Sequence, residues 1–488
     1  MSDSPETRSG LEPWVDAELP VAPSPKGLQW LGVVGPGVIV LGLSIGSGEF
    51  LLGPAAFVKY GLALLWVTGV AVLLQTLFNL EIMRYTVATG EPVFTGFMRT
   101  RPSAKAWALF YAALYFAQSG WPAWAATAAG ALFFLFAKRL ATAGDATMVY
   151  WIGCASFLVC VFVLLFGRRI ERTLELLNWI LVATVLGSFF VLAAVFAPFN
   201  TWVAAVAGFA GYDLGRNTFD FFPTGVDFVL IAALVGYSGA GGVANIALSN
   251  WARDKGYGMG TLAGYIPAAV GGKRVNLAHT GFRFTPSDES MHRWRGWWRI
   301  VKADQWGVFF TGAILGMGLP ALLYVTFLPH GTDIRGLSIA AQLAMNVGAR
   351  AGAVLAGAIA FLGAWLLLKT QLDQLEAMTR AVTDILWTGS RRVRRWRGGD
   401  VRAVYYAVLV ALTVWGIIAL RLAQPIVLLQ LGANVAGVVF VIASLHLLYI
   451  NTTFLPRELR PSMGRRAALV AMAVFYGFFV TLSVMRLL

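Results

Sequence analysis

Charge is scarce in this sequence. Asp, Glu, Lys and Arg make up only 13% of its 488 residues. Soluble domains carry about 25%, so a water-soluble globule is excluded. Cysteine is nearly absent. Cys154 and Cys160 share one apolar run, which rules out a disulfide framework or a four-thiolate zinc site. The four histidines (His279, His292, His330, His446) have no metal-ligand spacing. An intact phosphate loop is also missing. Ala268-Ala-Val-Gly-Gly-Lys-Arg274 has Pro267 where the first glycine belongs and Arg274 in place of Ser or Thr, so nothing supports an ATP-driven pump.

What is present is apolar. Hydrophobic residues are 58% of the chain and mean hydropathy is +0.70. A bilayer-crossing helix needs about 20 apolar residues. Eleven such runs are predicted, at 31–59, 62–88, 107–136, 147–167, 173–197, 226–248, 305–328, 352–386, 403–422, 425–449 and 466–487. The fold class expected is an all-α integral membrane protein with 11 transmembrane helices. Residues 1–28 are polar and contain Pro5, Pro13, Pro20, Pro23 and Pro25. They read as a disordered cytoplasmic tail with no cleavable signal peptide.

The net charge of +14 fits membrane topology, without nucleic acid. Basic clusters fall on alternate loops: Arg99/Arg101/Lys105, Arg168/Arg169/Arg172, the 253–302 stretch, Arg391–Arg397 and Arg457/Arg460/Arg465/Arg466. The positive-inside bias places these loops and the N-terminus in the cytoplasm and the C-terminus outside, in a cell (inner or plasma) membrane. The cytoplasmic loop 249–304 ends in a basic, Trp-rich stretch, Met291–Lys302. It is expected to be an interfacial amphipathic helix on the anionic leaflet, capped by Ser287 or by Glu289–Ser290.

Two spans are interrupted by glycine. Span 1 carries Gly46-Ser47-Gly48-Glu49; span 6 carries Tyr237-Ser238-Gly-Ala-Gly241-Gly-Val-Ala-Asn245. Glycine disfavours continuous helix, and unwound backbone at membrane depth is tolerated only where it lines a cavity or lies inside protein. A matched pair of interrupted spans points to a substrate site at a repeat interface. Two inverted five-helix repeats follow, 29–198 (spans 1–5) and 224–450 (spans 6–10), with span 11 at 464–488. The competing explanation is that these glycines merely allow close helix packing.

The stretch Gly35-Pro-Gly through Tyr60-Gly61, with Leu64-Leu-Trp66, Ala88-Thr-Gly90, Arg168-Arg-Ile-Glu-Arg172 and Leu234-Val-Gly236, resembles the Nramp family of proton-coupled divalent-metal transporters. The resemblance covers roughly residues 30–450 and implies the leucine-transporter-type 5+5 inverted-repeat fold with broken helices 1 and 6. The departures are as informative. The family's Asp-Pro-Gly-Asn break aligns with Gly46, Ser47, Gly48 and Glu49. Its span-6 Met and the following His have no counterpart, and its span-3 acids are replaced by Ala117-Gln-Ser-Gly-Trp-Pro-Ala-Trp124. Its span-10 glutamine, which reaches the metal, matches Gln430. The resemblance thus leaves Glu49 and Gln430 as metal-ligand candidates.

The remaining polar groups define the other candidates. Glu49 either caps the half-helix that follows it or contacts substrate. One carboxylate among amide and carbonyl oxygens suits a hard cation such as Mg²⁺ better than Mn²⁺ or Fe²⁺. The same backbone amides suit a substrate carboxylate. Substrate-binding candidates are therefore Gly46, Ser47, Gly48, Glu49, Tyr237, Ser238, Gly241 and Asn245, with Gln430 and Asn434, which share a face of span 10. In span 8, Lys369/Asp373 and Glu376/Arg380 are i,i+4 pairs that can neutralise themselves. The sharper expectation makes Lys369 and Asp373 coupling groups that act together with Glu49.

The leading function is a secondary-active, symport-type transporter of a cation, working as a monomer without a cofactor. The alternative is a transporter of a small organic solute such as an amino acid. A channel, or a membrane-embedded enzyme, has less support, since no paired acids suggest catalysis.

Overall fold

The computed structural model describes residues 5–487 except 168, 333, 335–338, 423 and 424. Arg168 of the basic motif and residues 1–4 of the N-terminal segment therefore lie outside the described residues. The chain is mostly helical, and among the described residues ten helices are long and apolar enough to cross a membrane. In chain order the helices are α1 (Pro36–Tyr60), α2 (Leu62–Thr89), α3 (Ala104–Ala137), α4 (Ala146–Val163), α5 (Ile170–Phe196), the short pair α6a (Phe228–Tyr237) and α6b (Val243–Lys255), α7 (Asp288–Phe327), α8 (Ala353–Gly389), α9 (Val401–Ala419), α10 (Pro425–Thr453) and α11 (Met463–Leu487). α3 is interrupted at Gly120–Pro122.

α6 breaks as the glycines predict. Gly239, Gly241 and Gly242 have φ of 92°, 88° and 48°, a region that only glycine occupies cheaply. α1 differs. It does not unwind at Gly46–Glu49 but widens to a π-helix over Ile45–Leu52. Its glycines serve close approach. A Cβ on Gly46 would collide with Thr370 of α8, and one on Gly48 with the Tyr237 carbonyl of α6a. The interruption in α1 is thus a change of helix type, a form that recurs at functional sites.

α1 begins under a borrowed cap. Gly35 N and Gly37 N each donate to the Asp304 carboxylate at 2.8 Å, where the helix N-terminus favours negative charge. A Cβ on Gly37 would lie 2.6 Å from the Asp304 carbonyl oxygen, so the Gly-Pro-Gly start is required by α7.

Two expectations need correction at this end of the bundle. The first concerns Met291–Lys302, which is not a separate interfacial helix. It forms the opening turns of the 40-residue α7, capped by Ser287, whose Oγ accepts from Ser290 N. No Pro or Gly pair stops the helix before the membrane-spanning part, and it passes through a π-segment at Ala303–Phe310. Trp294 and Trp297 are buried within the protein.

The second concerns residues 5–28, which form an ordered strap. Trp14 and Leu19 are buried, and Val15–Asp16 pairs in parallel with Phe282–Arg283. Arg99 Nη1 holds the carbonyls of Glu6 and Glu12 at 3.0 and 2.8 Å. Trp297 Nε1 donates to Pro20 O at 2.8 Å. The apolar anchors and these hydrogen bonds offset the ordering entropy that a polar, Pro-rich segment would otherwise cost.

Trp14→Ala should therefore lower stability by about 3 kcal/mol, read as a drop in thermal midpoint in detergent. Glu12 adds a pH term. The hydrogen bond from His279 Nε2 at 2.9 Å holds its carboxyl below the usual carboxylate range. A depressed carboxyl stabilises the fold above its unfolded value of about 4.3 and loses that contribution as pH falls further. The midpoint should drop in acid, and less so in Glu12→Gln.

Candidate functional site

The π-segment of α1 lies against the break in α6. Glu49 is fully buried. Its Oε1 accepts from Ser44 Oγ and, at 3.1 Å, from Gly239 N, so its carboxylate joins the two repeats directly. Its Oε2 has no hydrogen-bond partner among the described residues. On the other side of Gly239 sits Gln75 of α2. Gln75 Nε2 donates to Ser238 O and, at 2.8 Å, to the Tyr476 hydroxyl of α11. Gln75 Oε1 has no partner either. A Cβ on Gly239 would collide with that amide. Two unpaired acceptor oxygens, one of them carboxylate, therefore flank a single glycine.

Gln118 of α3 splints the rest of the break. Its Nε2 donates to Gly241 O at 2.9 Å, and its Oε1 accepts from Val243 N at 3.0 Å. The Tyr237 hydroxyl reaches Gln118 O at 3.4 Å, and its ring lies 5.9 Å from that of Trp124. Gly432 of α10 completes the wall, being too close to Gln118 O to carry a side chain. Asn245 Nδ2 donates to Asn79 Oδ1 of α2 at 2.9 Å, leaving Asn245 Oδ1 without a partner.

The candidates from the sequence divide accordingly. Glu49, Gly48, Tyr237, Ser238, Gly241 and Asn245 all lie along the α6 break or touch its supports. Gly46 instead admits Thr370 of α8, and Ser47 Oγ donates to Leu43 O at 2.9 Å within α1. Asn434 packs helices together: it donates to Val229 O at 3.4 Å, near the start of α6a, and accepts from Ser483 of α11 at 2.9 Å. Gln430 lies one turn earlier on α10, half-buried, and is not among the groups bonded to Glu49. Lys369 pairs with Asp373, to which Asn178 of α5 also donates at 3.3 Å. The expected contact of Lys369 with Glu49 is not formed, because the i,i+4 carboxylate is nearer. Gln75, Gln118, Asn79 and Ser44 were not singled out from the sequence. Their signal was the presence of amides and a hydroxyl in apolar spans, where polar groups need partners.

Chemically, the side chains bonded to the α6 break present amide oxygens and one carboxylate, with the buried Met317 sulfur of α7 beside Gly53 at the end of the π-segment. Among the described residues no group of three or more His, Cys, Asp or Glu side chains is placed to hold a metal ion.

No protein-family model matches the chain, and no curated protein matches it in sequence. Solved structures do match in three dimensions. The chain superposes on a histidine-to-alanine mutant of the Eremococcus coleocola manganese transporter with a TM-score of 0.62 at 12% identity, covering 97% of this chain and 90% of that one. The same transporter in complex with an aromatic bis-isothiourea substituted compound matches with a TM-score of 0.62 at 13% identity, covering 99% and 91%. A glutamate-to-alanine mutant gives a TM-score of 0.61. The fold is thus the one those multi-pass transporter structures share. More particularly it is the Nramp-like, leucine-transporter-type fold that the sequence resemblance implies.

Gln118→Ala would strand Gly241 O and Val243 N in a dry interior. Each unsatisfied buried group costs about 1–3 kcal/mol. Gln118→Ala should therefore lower the thermal midpoint markedly, while Gln430→Ala, with no bond to the break, should leave it close to wild type.

Proposed function

We propose that this protein is a secondary-active transporter that carries a hard divalent cation, Mg²⁺ in preference to Mn²⁺ or Fe²⁺, through a site between α1 and the α6 break. Glu49 carries this reading. Its Oε1 is bonded to Ser44 of one repeat and to Gly239 at the break of the other, and its free oxygen is accompanied by the free amide oxygen of Gln75 across Gly239. Oxygen-only donors suit Mg²⁺; Mn²⁺ and Fe²⁺ gain more from nitrogen or sulfur ligands. Manganese is what the structural neighbours are named for, and the preference proposed here departs from theirs because of the residues at the site.

Glu49 and Gln75 would take the cation, with Ser238 and Tyr237 carbonyls within reach of the same glycine turn. Binding would replace the Ser44 hydroxyl at Glu49. Gln118 would hold the break open in its present form while α1 and α6 move relative to α8. Asn434 and Gln430 act on helix packing rather than on the ion. In this reading the N-terminal strap is cytoplasmic, the C-terminus is external, and the monomer in a cell membrane is the working unit.

A transporter of a small organic solute is the second reading. It is favoured by unpaired donors near the break, among them Trp124 Nε1 and Asn79 Nδ2, which a cation cannot use.

Proteoliposome uptake separates the two. Mg²⁺ should enter faster than Mn²⁺. Glu49→Gln should cut uptake at least about 10- to 100-fold, the range for loss of a partner that merely supports a metal ligand. Amino-acid uptake with no divalent-cation flux would favour the organic reading.

A further inference from the structure

Below the α6 break, α6b and α8 are joined by five ionisable side chains that the transport site does not use. Arg380 Nε donates to Glu376 Oε1 at 2.6 Å, and Arg380 Nη1 to Asp254 Oδ2. Arg253 Nε donates to Asp254 Oδ1 at 2.7 Å, and Arg253 Nη1 to Asp384 Oδ1 at 2.6 Å. All five are at most 3% exposed. The network holds three carboxylates (Glu376, Asp254, Asp384) against two guanidiniums (Arg380, Arg253), an excess of one negative charge.

The surrounding cations do not cancel that excess. Lys369 is committed to Asp373. Lys255 and Arg172 both reach Glu175, at 2.6 and 2.8 Å, and Lys255 also faces Glu171 of α5 and Asp304 of α7. An uncompensated charge at this depth is costly enough that the group is neutralised instead.

We infer that the network carries one exchangeable proton, held on Glu376. Asp254 is better supplied with donors, and Asp384, with as many partners as Glu376, lies two turns nearer the C-terminal end of α8. Asp254 takes both guanidiniums and, at 3.0 Å, Ile266 N. Asp384 takes Arg253 and Asn250. Glu376 has Arg380 and Trp251 Nε1, the latter at 2.8 Å. It also lies within electrostatic reach of the hydroxyls of Tyr115 on α3 and Tyr405 on α9, neither of which has a hydrogen-bond partner among the described residues. The other titratable groups facing it are Glu171 of α5, Lys369, Asp373 and Asp384 of its own helix, and Tyr406 of α9.

The step is a simple one. A proton from water adds to a Glu376 oxygen and cancels the excess charge; its release restores the charge and tightens the hold of Arg380. Because α6b begins at the break and α8 carries Thr370 against Gly46, proton occupancy here is mechanically joined to the substrate site. It places a proton-binding group on α8 of a protein whose α3 carries no acid at the corresponding depth.

Infrared difference spectroscopy of the purified full chain, taken across a pH step in cation-free buffer, tests this. Protonated buried carboxyls give a carbonyl-stretch band that shifts in D₂O. Glu49 and Asp304, buried carboxyls without an ion pair among the described residues, contribute components of their own. The expected result is a further component that persists in Glu49→Gln, disappears in Glu376→Gln and moves in Glu376→Asp. Arg380→Met, which raises the excess from one to two, should add signal, an outcome that misfolding does not mimic. Spectra that Glu376→Gln leaves unchanged, or no band at all, would overturn the inference. No divalent cation is present, so failure of the Mg²⁺ reading would leave these spectra unchanged.

Discussion

Everything at the centre of this protein follows from five residues of unwound backbone. Ser238–Gly242 cannot bond to itself as a helix does, and water is absent at membrane depth, where each unsatisfied polar group costs several kcal/mol. The missing partners come from Gln118 on α3, Gln75 on α2 and Glu49 on α1. Three helices of the first repeat must therefore converge on the break in the second. That convergence explains why Gly48 and Gly432 cannot carry side chains. It also explains why the one buried carboxylate at the junction is shared between repeats.

The fold was legible where a physical rule has few solutions. Three glycines within four residues of span 6 could serve a break, and positive φ at all three confirms that use. The i,i+4 pairs of span 8 formed as their spacing dictates. Where one signal serves two purposes, the sequence misled. Glycines for close approach and glycines for unwinding look alike, so Gly46 and Gly48 suggested unwound backbone where α1 has a π-helix. Shared-face spacing put Gln430 and Asn434 together without telling which neighbour they face, and α6a and α11 claimed Asn434. The Pro-rich start of the chain masked two buried anchors, Trp14 and Leu19. Gln75 and Gln118 escaped notice because their task, supplying bonds to another helix's backbone, leaves no pattern along their own.

A shared architecture at 12–13% identity fixes the path of the chain, and the chemistry is set by what sits on it. Here Gly46–Glu49 stand where the Nramp pattern has its metal-binding break, in a π-helix rather than unwound backbone, and α3 carries no acid.

The central claim is that Glu49 and the α6 break bind a hard divalent cation. Calorimetric titration of the purified protein with Mg²⁺ tests it most directly. The account predicts stoichiometric binding that Glu49→Gln abolishes and Gln430→Ala leaves intact. Binding that survives Glu49→Gln, or Mn²⁺ bound tightly where Mg²⁺ is not, would contradict it.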